Sequence, residues 1–367
     1  MKKPLSLRSA LILGGAGFIG SNWAQHLLKT TDARVHIFDN LSRRGVHKNL
    51  EWLRRECDDS ERLKVTIGDI RDAALVQRAV QNAGEIYHFA AQVAVTSSVA
   101  DPRQDFEVNA LGTLNILEAA RKSGRQPFLL FTSTNKVYGN LSSKQLVLTG
   151  KRYCALDEKG VNETQPLDLY SPYGCSKGTA DQYVHDYSRM FALPTVVFRM
   201  SCIAGPQQFG NEDQGWVAHF LYSALENKPL TIYGDGRQVR DVLSVRDLVS
   251  AFEKVRARME ETAGQIYNVG GGIKNSVSLL EVIEIIEQIT GKRLRYSLQR
   301  PRPGDQLFYV TDFDKLTKHT GWKPKVSVSR NIQMIWNWRK ALRAETDVIT
   351  MPSRPQPAVA QVPEAAS

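Results

Sequence analysis

The sequence contains few cysteines, no long hydrophobic run and no targeting segment. Its four cysteines lie far apart, without a CxxC pair or histidines at metal-ligand spacing, so neither disulfides nor a zinc site is predicted. The apolar runs have the length of a strand and are too short to cross a bilayer. The first nine residues are basic but lack the apolar core and cleavage site of a signal peptide. We therefore expect a cytoplasmic protein with no bound metal and no membrane span.

Acidic residues are fewer than basic ones. With 48 lysines and arginines against 38 aspartates and glutamates, the formal net charge is +10 at pH 7, which suits an anionic partner such as a phosphorylated metabolite, a nucleic acid or an acidic surface. The basic residues are scattered along the chain rather than gathered in one tract with interleaved aromatic residues. This distribution argues against nucleic acid and favours a small molecule that carries phosphate.

The first half of the chain alternates short apolar runs with segments of helical periodicity. The apolar runs are residues 10–13, 35–38, 63–67, 86–89, 128–131 and 195–198. The segments of helical periodicity include residues 21–30, 73–83 and 110–122. Repetition of strand, helix and strand predicts an α/β protein with a doubly wound parallel sheet, the Rossmann fold.

The second half has a looser pattern, with clusters of glycine and proline. It predicts a smaller α/β domain that covers the sheet and binds the substrate. We place the sheet domain at residues 1–198, with return segments near 237–270, and the discontinuous second domain at residues 199–345. Residues 350–367 are mostly Pro, Ala, Gln and Ser without periodicity, which predicts a disordered tail.

A glycine-rich turn follows the first predicted strand. Gly14, Gly17 and Gly20 stand between this strand and the start of a helix. In such a turn the first glycine permits a tight bend, the second lets the backbone approach a pyrophosphate, and the third allows close packing of the helix. The helix N-terminus adds amide donors and the positive end of its dipole. The turn therefore predicts a dinucleotide-binding site.

An acidic residue at the end of the second predicted strand indicates which dinucleotide is bound. Asp39 lies 19 residues after Gly20, where a carboxylate can accept hydrogen bonds from the adenosine ribose and would repel a 2′-phosphate. NAD is therefore favoured, and Arg43 and Arg44 keep NADP open as the alternative.

Two later strand ends point to the same edge of the sheet. Asp69 could meet the adenine amino group, although a helix cap is its alternative role. Small side chains at Ala90 and Ala91 would let a dinucleotide lie against the backbone.

Tyr173 and Lys177 are four residues apart, which places them on the same side of a helix if one begins near Pro172. Lys177, together with an oxidised nicotinamide, would favour tyrosinate and lower the pKa of Tyr173. The tyrosine could then act as a general base for a sugar hydroxyl during hydride transfer. Thr134, in the hydroxyl-rich end of the strand that begins at residue 128, could orient that hydroxyl.

Together, the glycine turn, Asp39, Thr134 and the Tyr173/Lys177 pair resemble the extended short-chain dehydrogenase/reductase family of nucleotide-sugar epimerases and dehydratases. The resemblance covers roughly residues 8–342 and implies catalysis by Thr134, Tyr173 and Lys177. It also implies that NAD is the cofactor. The residues expected to bind it are Gly14, Gly17, Phe18, Ile19, Asp39, Asn40, Ser42, Arg43, Asp69, Ile70, Ala90, Ala91, Gln92, Asn109, Tyr173 and Lys177.

Within this family, residues 133–139, 171–178 and 213–217 are similar to the epimerases that act at carbon 2 of a CDP-linked sugar. Dehydratases of the family usually carry an Asp-Glu pair directly after the catalytic threonine. This chain has Asn135 and Lys136 there, so no acid is positioned to eliminate water.

The resemblance implies five substrate-binding residues, which are Asn135, Lys136, Gln208, Arg240 and Arg302. The two arginines would clamp the substrate diphosphate, and pairing with Asp241 and Asp305 is their structural alternative. Residues 203–209 and Tyr170 depart from the pattern of the CDP-sugar enzymes, so the reaction type is better supported than the substrate identity.

The predicted reaction is epimerisation of a nucleotide-diphosphate sugar at carbon 2, by transient oxidation to a ketone and return of the same hydride. Epimerisation of a UDP-sugar at carbon 4 is the alternative within the family. A non-catalytic scaffold that binds NAD or RNA is a second alternative, which the positive charge would suit. The resemblance also implies a homodimer that packs through helices near residues 110–122 and 174–190.

Overall fold

The protein is built on fifteen strands and thirteen α-helices in the part of the chain that the computed structural model describes, residues 9–157, 160–302 and 304–350. The strands are β1 (Ser9–Leu13), β2 (Arg34–Asp39), β3 (Leu63–Ile67), β4 (Glu85–His88), β5 (Phe128–Thr134), β6 (Leu146–Thr149), β7 (Arg152–Ala155), β8 (Thr195–Met200), β9 (Cys202–Ala204), β10 (Leu230–Tyr233), β11 (Val239–Ser244), β12 (Gln265–Val269), β13 (Ser276–Ser278), β14 (Tyr296–Gln299) and β15 (Phe308–Tyr309). The tail predicted for residues 350–367 lies, from residue 351 onward, outside the described residues.

The helices surround these strands. They are α1 (Phe18–Thr30), α2 (Val46–Glu56), α3 (Ala73–Val80), α4 (Val95–Ala100), α5 (Pro102–Phe106), α6 (Gly112–Lys122), α7 (Ser171–Phe191), α8 (Trp216–Glu226), α9 (Val245–Arg256), α10 (Met259–Thr262), α11 (Leu279–Thr290), α12 (Asp314–Thr320) and α13 (Val328–Thr350). None of the helices in the described ranges is long and apolar enough to cross a bilayer.

Seven parallel strands form the central sheet, in the order β12-β8-β5-β4-β1-β2-β3. The chain starts in the middle, winds to one edge and then to the other, which confirms the predicted doubly wound sheet. In β1, Ala10 and Ile12 face one core while Leu11 and Leu13 face the other, because successive side chains of a strand point to opposite faces. Helices α1, α2 and α9 cover the first face, and α3, α6 and α7 cover the second.

A second, smaller unit is formed by strands β9, β10, β11, β13, β14 and β15 and by helices α8, α11 and α13. Strand β11 pairs with β9, β13 and β15, and β10 pairs with β14. Helices α8, α11 and α13 pack together around Leu221, Ile286 and Ile332. Helix α11 begins with a capping box, in which the side chains of Ser278 and Glu281 each accept a hydrogen bond from the backbone N–H of the other.

Candidate active site

A cleft of about 970 Å³ opens at the carboxyl ends of the central strands and extends to the second unit. Doubly wound sheets bind ligands at this edge, where the strand order reverses. All of the predicted site residues except Asn109 line this cleft. Residues from both halves of the sequence therefore meet in one place, with the glycine turn at one side and the loops of the second unit at the other.

The glycine turn lies between β1 and α1, and its shape depends on glycine at two positions. Gly14 has a φ of +78°, and a Cβ there would lie 2.6 Å from the backbone nitrogen of Ala90. A Cβ on Gly20 would lie 2.3 Å from the carbonyl oxygen of Gly14. Gly17 lines the cleft and precedes α1, which has no capping side chain. The bare backbone and the free helix N-terminus fit the pyrophosphate of a dinucleotide.

Asp39 lies beside this turn at the end of β2. Its Oδ2 accepts from the N–H of Ala16 at 3.0 Å and its Oδ1 accepts from the N–H of Leu41 at 2.8 Å. Burial raises the pKa of Asp39, and these two hydrogen bonds act in the opposite direction. Each carboxylate oxygen keeps a further lone pair for a ribose hydroxyl.

Asp69 follows β3 and forms a bidentate ion pair with Arg71, with distances of 3.0 and 2.9 Å. The hydrogen bond from Arg71 is the main reason that the pKa of Asp69 is lowered to about 2. Its other neighbour is Asn40, whose Nδ2 donates to Asp69 Oδ2 at 3.1 Å. The alternative role of Asp69 as a helix cap is wrong, because the side chain of Asp72 caps α3 by accepting from the N–H of Leu75.

Asn109 is buried behind the cleft rather than exposed in it. Its Oδ1 accepts from the N–H of Gln92 at 2.9 Å and its Nδ2 donates to the carbonyl of Gln92 at 3.0 Å. Ser176 and Asp105 lie on its other side, at 3.1 Å each. Asn109 therefore holds the loop after β4 in place, and it is Gln92 that reaches the cleft.

Tyr173 and Lys177 lie on the first two turns of α7, and both side chains are buried. Lys177 Nζ donates to the carbonyl of Thr132 at 2.7 Å and lies 4.1 Å from the centre of the Phe131 ring. Burial lowers the pKa of Lys177 to about 7 and raises the pKa of Tyr173 to about 12. A hydrogen bond from the Thr134 hydroxyl acts against the rise at Tyr173.

At the substrate side, Arg240 and Lys136 share one carboxylate. Arg240 Nη2 lies 2.7 Å from Asp305 Oδ1, and Lys136 Nζ lies 3.4 Å from the same oxygen. Arg240 therefore forms the ion pair with Asp305 that was the structural alternative to diphosphate binding. It also lines the cleft. Burial lowers the pKa of Lys136, and Asp305 acts against this change.

Arg302 has different partners from those considered in the sequence. Its guanidinium lies 3.4 Å from Glu212 and 3.5 Å from Asp213, and 3.9 Å from the centre of the Tyr233 ring. Asp241 is not available to either arginine as a salt-bridge partner, because it is buried against Ser201 and the N–H of Gly272.

Gln208 and Ser133 line the cleft, and each carries a buried polar atom without a partner among the described residues. Gln208 Nε2 donates to the carbonyl of Ile203 at 3.1 Å, which leaves its Oε1 buried and without a partner among the described residues. The hydroxyl of Ser133 is likewise buried and without a partner among the described residues. Sequence reasoning missed Ser133 and Tyr233; Ser133 stands next to Thr134 in the hydroxyl-rich run, which was a signal for it.

Comparison with known proteins identifies the family. Residues 11–335 match the family described as GDP-mannose 4,6 dehydratase. The chain belongs to this family. It is 42% identical to a CDP-paratose 2-epimerase of Salmonella typhi over an alignment of 340 residues, and the match covers 90% of this chain and 99% of the relative. It is 34% identical to a dTDP-glucose 4,6-dehydratase of Shigella flexneri, with coverage of 89% and 91%.

A solved structure agrees with this membership. The UDP-glucose 4-epimerase of Thermus thermophilus, solved in complex with NAD, is 33% identical to this chain and superposes with a TM-score of 0.75. The match covers 91% of this chain and 99% of that one. The family includes epimerases and dehydratases on one fold, so the choice between them depends on the residues of the cleft.

Proposed function

We propose that this protein is an NAD-dependent epimerase that inverts carbon 2 of a nucleotide-diphosphate sugar, in a reaction of the CDP-paratose/CDP-tyvelose type. One observation carries the proposal: Thr134, Tyr173 and Lys177 line the cleft together with Asn135 and Lys136. The first three can remove a hydroxyl proton, and the last two replace the acid pair expected of a dehydratase. The similarity to a CDP-paratose 2-epimerase supports the same choice.

Bound NAD would supply the hydride acceptor and later the hydride donor. The sheet domain, residues 1–198 with return segments near 237–270, would hold it through the predicted cofactor residues, with Asn109 acting through Gln92. Tyr173 takes the proton of the sugar hydroxyl as the carbon is oxidised, and Thr134 orients that hydroxyl. Lys177 provides the positive charge that favours tyrosinate when it is protonated.

The substrate would occupy the side of the cleft formed by the second domain, residues 199–345. Arg240 and Arg302 suit a diphosphate, since each guanidinium lies in the cleft and now faces a carboxylate that phosphate oxygens can replace. Gln208 offers a buried acceptor to a hydroxyl or amino group of the substrate. Epimerisation of a UDP-sugar at carbon 4 is the second candidate, favoured by the similarity to the Thermus thermophilus enzyme.

We further propose a cytoplasmic homodimer that serves polysaccharide biosynthesis. Helix α7 carries Tyr183, Met190 and Phe191, which are 47%, 67% and 43% exposed. Apolar side chains on one helix are a feature of faces that pair with a second copy. Sedimentation of the purified protein tests the dimer.

A panel of CDP-, UDP-, GDP- and dTDP-sugars, followed by NMR, tests the reaction. The expected product retains its water and differs in configuration at carbon 2, without added NADH. In heavy water the inverted carbon should contain no solvent deuterium, because the hydride returns from the cofactor. Inversion at carbon 4 would select the second candidate, and no conversion of any sugar, with NAD bound, would select the non-catalytic scaffold.

A further inference from the structure

A short turn between β9 and α8 joins the two halves of the molecule across the cleft. It consists of residues 211–214, which we call the strap. Asn211 closes this turn: its Oδ1 accepts from the N–H groups of Asp213 and Gln214, at 3.1 and 2.9 Å, and its own N–H donates to the carbonyl of Gln214 at 2.8 Å. The strap therefore holds its own shape and presents the side chains of Glu212, Asp213 and Gln214 to other parts of the molecule.

Two side chains of the second unit anchor the strap. Glu212 Oε1 accepts from the Tyr233 hydroxyl at 2.7 Å and lies 3.4 Å from Arg302 Nη2. Asp213 Oδ1 lies 3.5 Å from Nη1 of the same guanidinium, which also lies 3.9 Å from the centre of the Tyr233 ring. Arg302 thus offsets the charge of both carboxylates, which would otherwise repel an anionic cofactor in the same cleft.

The strap also contacts the sheet domain, at two separate places. The hydroxyl of Thr96, on α4 after β4, donates to Asp213 Oδ1 at 2.9 Å. Arg43, in the loop after β2, donates to Gln214 Oε1. Both contacts join residues that are more than 100 positions apart in the sequence. They are therefore links between the two units and are not part of the local folding of the turn.

The order of the strands shows what lies between these two contacts. In the central sheet β1 has β2 on one side and β4 on the other, so the strap spans the strand that leads into the glycine turn. The segment just before the strap follows the same course, because a Cβ on Gly45 would overlap the ring of Phe209. The residues of both contacts line the same cleft as the glycine turn, and they are Arg43, Thr96, Asp213 and Gln214.

We propose that the strap retains NAD in the protein. Asp213 and Gln214 fasten it over the glycine turn, and Arg302 and Tyr233 hold it there from the second unit. The cofactor leaves only when these contacts open, as with other loops that cover a site. The inference concerns the hold on the cofactor, which goes beyond the proposed reaction on the sugar.

The contacts of the strap are individually weak. The side chains of Glu212 and Asp213 are 47% and 45% exposed, and exposed polar pairs of this kind contribute little each. The strap therefore holds by the sum of its contacts. Removal of one contact should increase the rate of NAD release about 2- to 5-fold.

The release of NAD is measured on protein that is loaded with radiolabelled NAD, mixed with excess unlabelled NAD and filtered at intervals. Thr96→Val removes the donor to Asp213 at nearly constant volume and leaves the charge of the strap unchanged. It should speed release about 2- to 5-fold. In the Asp213→Ala background it should have no further effect, because the contact is already absent. The matched control is Thr164→Val, which removes a hydroxyl that donates to Asn162, and it should release NAD at the wild-type rate.

A covalent link tests the closure directly. The double variant Thr96→Cys/Asp213→Cys places thiols at the two ends of the 2.9 Å contact, where a short thiol crosslinker joins them, and mass spectrometry of the peptides confirms the link. The linked protein should release NAD about 100-fold more slowly than the same variant without the crosslinker, because the contact no longer opens. Each single-cysteine variant, treated in the same way, should release NAD as it does untreated.

Two results would overturn the proposal. One is an unchanged rate of NAD release in the linked protein. The other is a Thr96→Val effect that is absent, or that is equally large with and without Asp213. If the thiols do not link, Thr96→Val in the two backgrounds decides the matter. No sugar enters these measurements, so a protein that converts none of the sugar nucleotides tests the strap equally well.

Discussion

The two halves of the cleft are built in different ways. The cofactor half is made of backbone at neighbouring strand ends, and its carboxylate, Asp39, is held by two backbone N–H groups. The substrate half is made of charged side chains from segments that lie far apart in the sequence. Its cations, among them Arg240 and Arg302, are already paired with carboxylates. We infer that cofactor binding depends on backbone shape, whereas substrate binding depends on the exchange of one anion for another.

The largest expected effect lies where the two halves meet. Tyr173→Phe removes only the ionisable oxygen, so turnover should fall about 100- to 10,000-fold, the usual contribution of a general base. The fold and the bound NAD should be unchanged, because phenylalanine keeps the buried aromatic ring of Tyr173. Turnover is measured by NMR of the sugar, and NAD by chromatography of the denatured protein. Turnover near that of the wild type would show that another group accepts the proton.

A smaller effect is expected in the substrate half, where replacement of an arginine and replacement of its carboxylate partner should change KM in opposite directions. Arg302→Ala should raise KM for the sugar nucleotide about 10- to 100-fold, because hydrogen bonds to a charged group are lost. Glu212→Gln should lower KM, since it removes an anion that competes with the diphosphate for Arg302. Steady-state kinetics of both variants test the exchange of anions. A higher KM in Glu212→Gln would mean that Glu212 positions Arg302 instead of competing for it.

The cofactor half was the more predictable from sequence, because local spacing determines it. The glycine turn and the acid at the end of β2 lie within about thirty residues of one another. The order of strand, turn, helix and strand therefore places both at the same edge of the sheet. The strands β1 to β5 and β8 follow from their apolar runs. The apolar runs did not predict strand β12, because Gln265 and Asn268 interrupt its apolar character.

The substrate half could not be predicted to the same depth, because its contacts join distant residues. From the sequence, Asp241 and Asp305 were the candidate partners for the arginines. Only the tertiary structure pairs Asp305 with Arg240 and Glu212 with Arg302. Asn109 shows the same limit in a buried position. It reaches the cleft only through its neighbour Gln92, and no spacing in the sequence marks such an indirect contact.

The role of backbone shape in the cofactor half can be tested with two glycines of the same turn. Gly20→Ala places a Cβ 2.3 Å from the Gly14 carbonyl, so it should lower the free energy of unfolding by about 1–3 kcal/mol, as overpacking does. Gly17→Ala meets the same oxygen only at 3.1 Å and should unfold nearly as the wild type does. It should nevertheless retain less NAD, because its methyl group faces the dinucleotide. Urea unfolding of the NAD-free variants measures the first effect, and equal unfolding of the two variants would contradict it.

The smallest expected effect is a dependence of stability on pH that one buried side chain causes. The pKa of Lys177 falls from its ordinary value of 10.5 to about 7 in the folded protein, chiefly through burial. Below pH 7 the lysine is charged in both states, and the folded state bears the cost of the buried charge. Between pH 7 and 10.5 the unfolded chain binds more protons than the folded one, so stability rises with pH.

Lys177→Met removes this contribution. The free energy of unfolding of the NAD-free wild type, relative to Lys177→Met, should therefore increase from pH 7 to pH 9, by at most about 1.4 kcal/mol per pH unit. Lys254→Met, a change at an exposed position of α9, is the matched control and should leave the pH dependence as in the wild type. Urea unfolding at several pH values measures all three proteins. A constant difference between wild type and Lys177→Met would mean that Lys177 stays charged in the folded state, with its ammonium stabilised by the carbonyl of Thr132 and by Asp105 and Asp181.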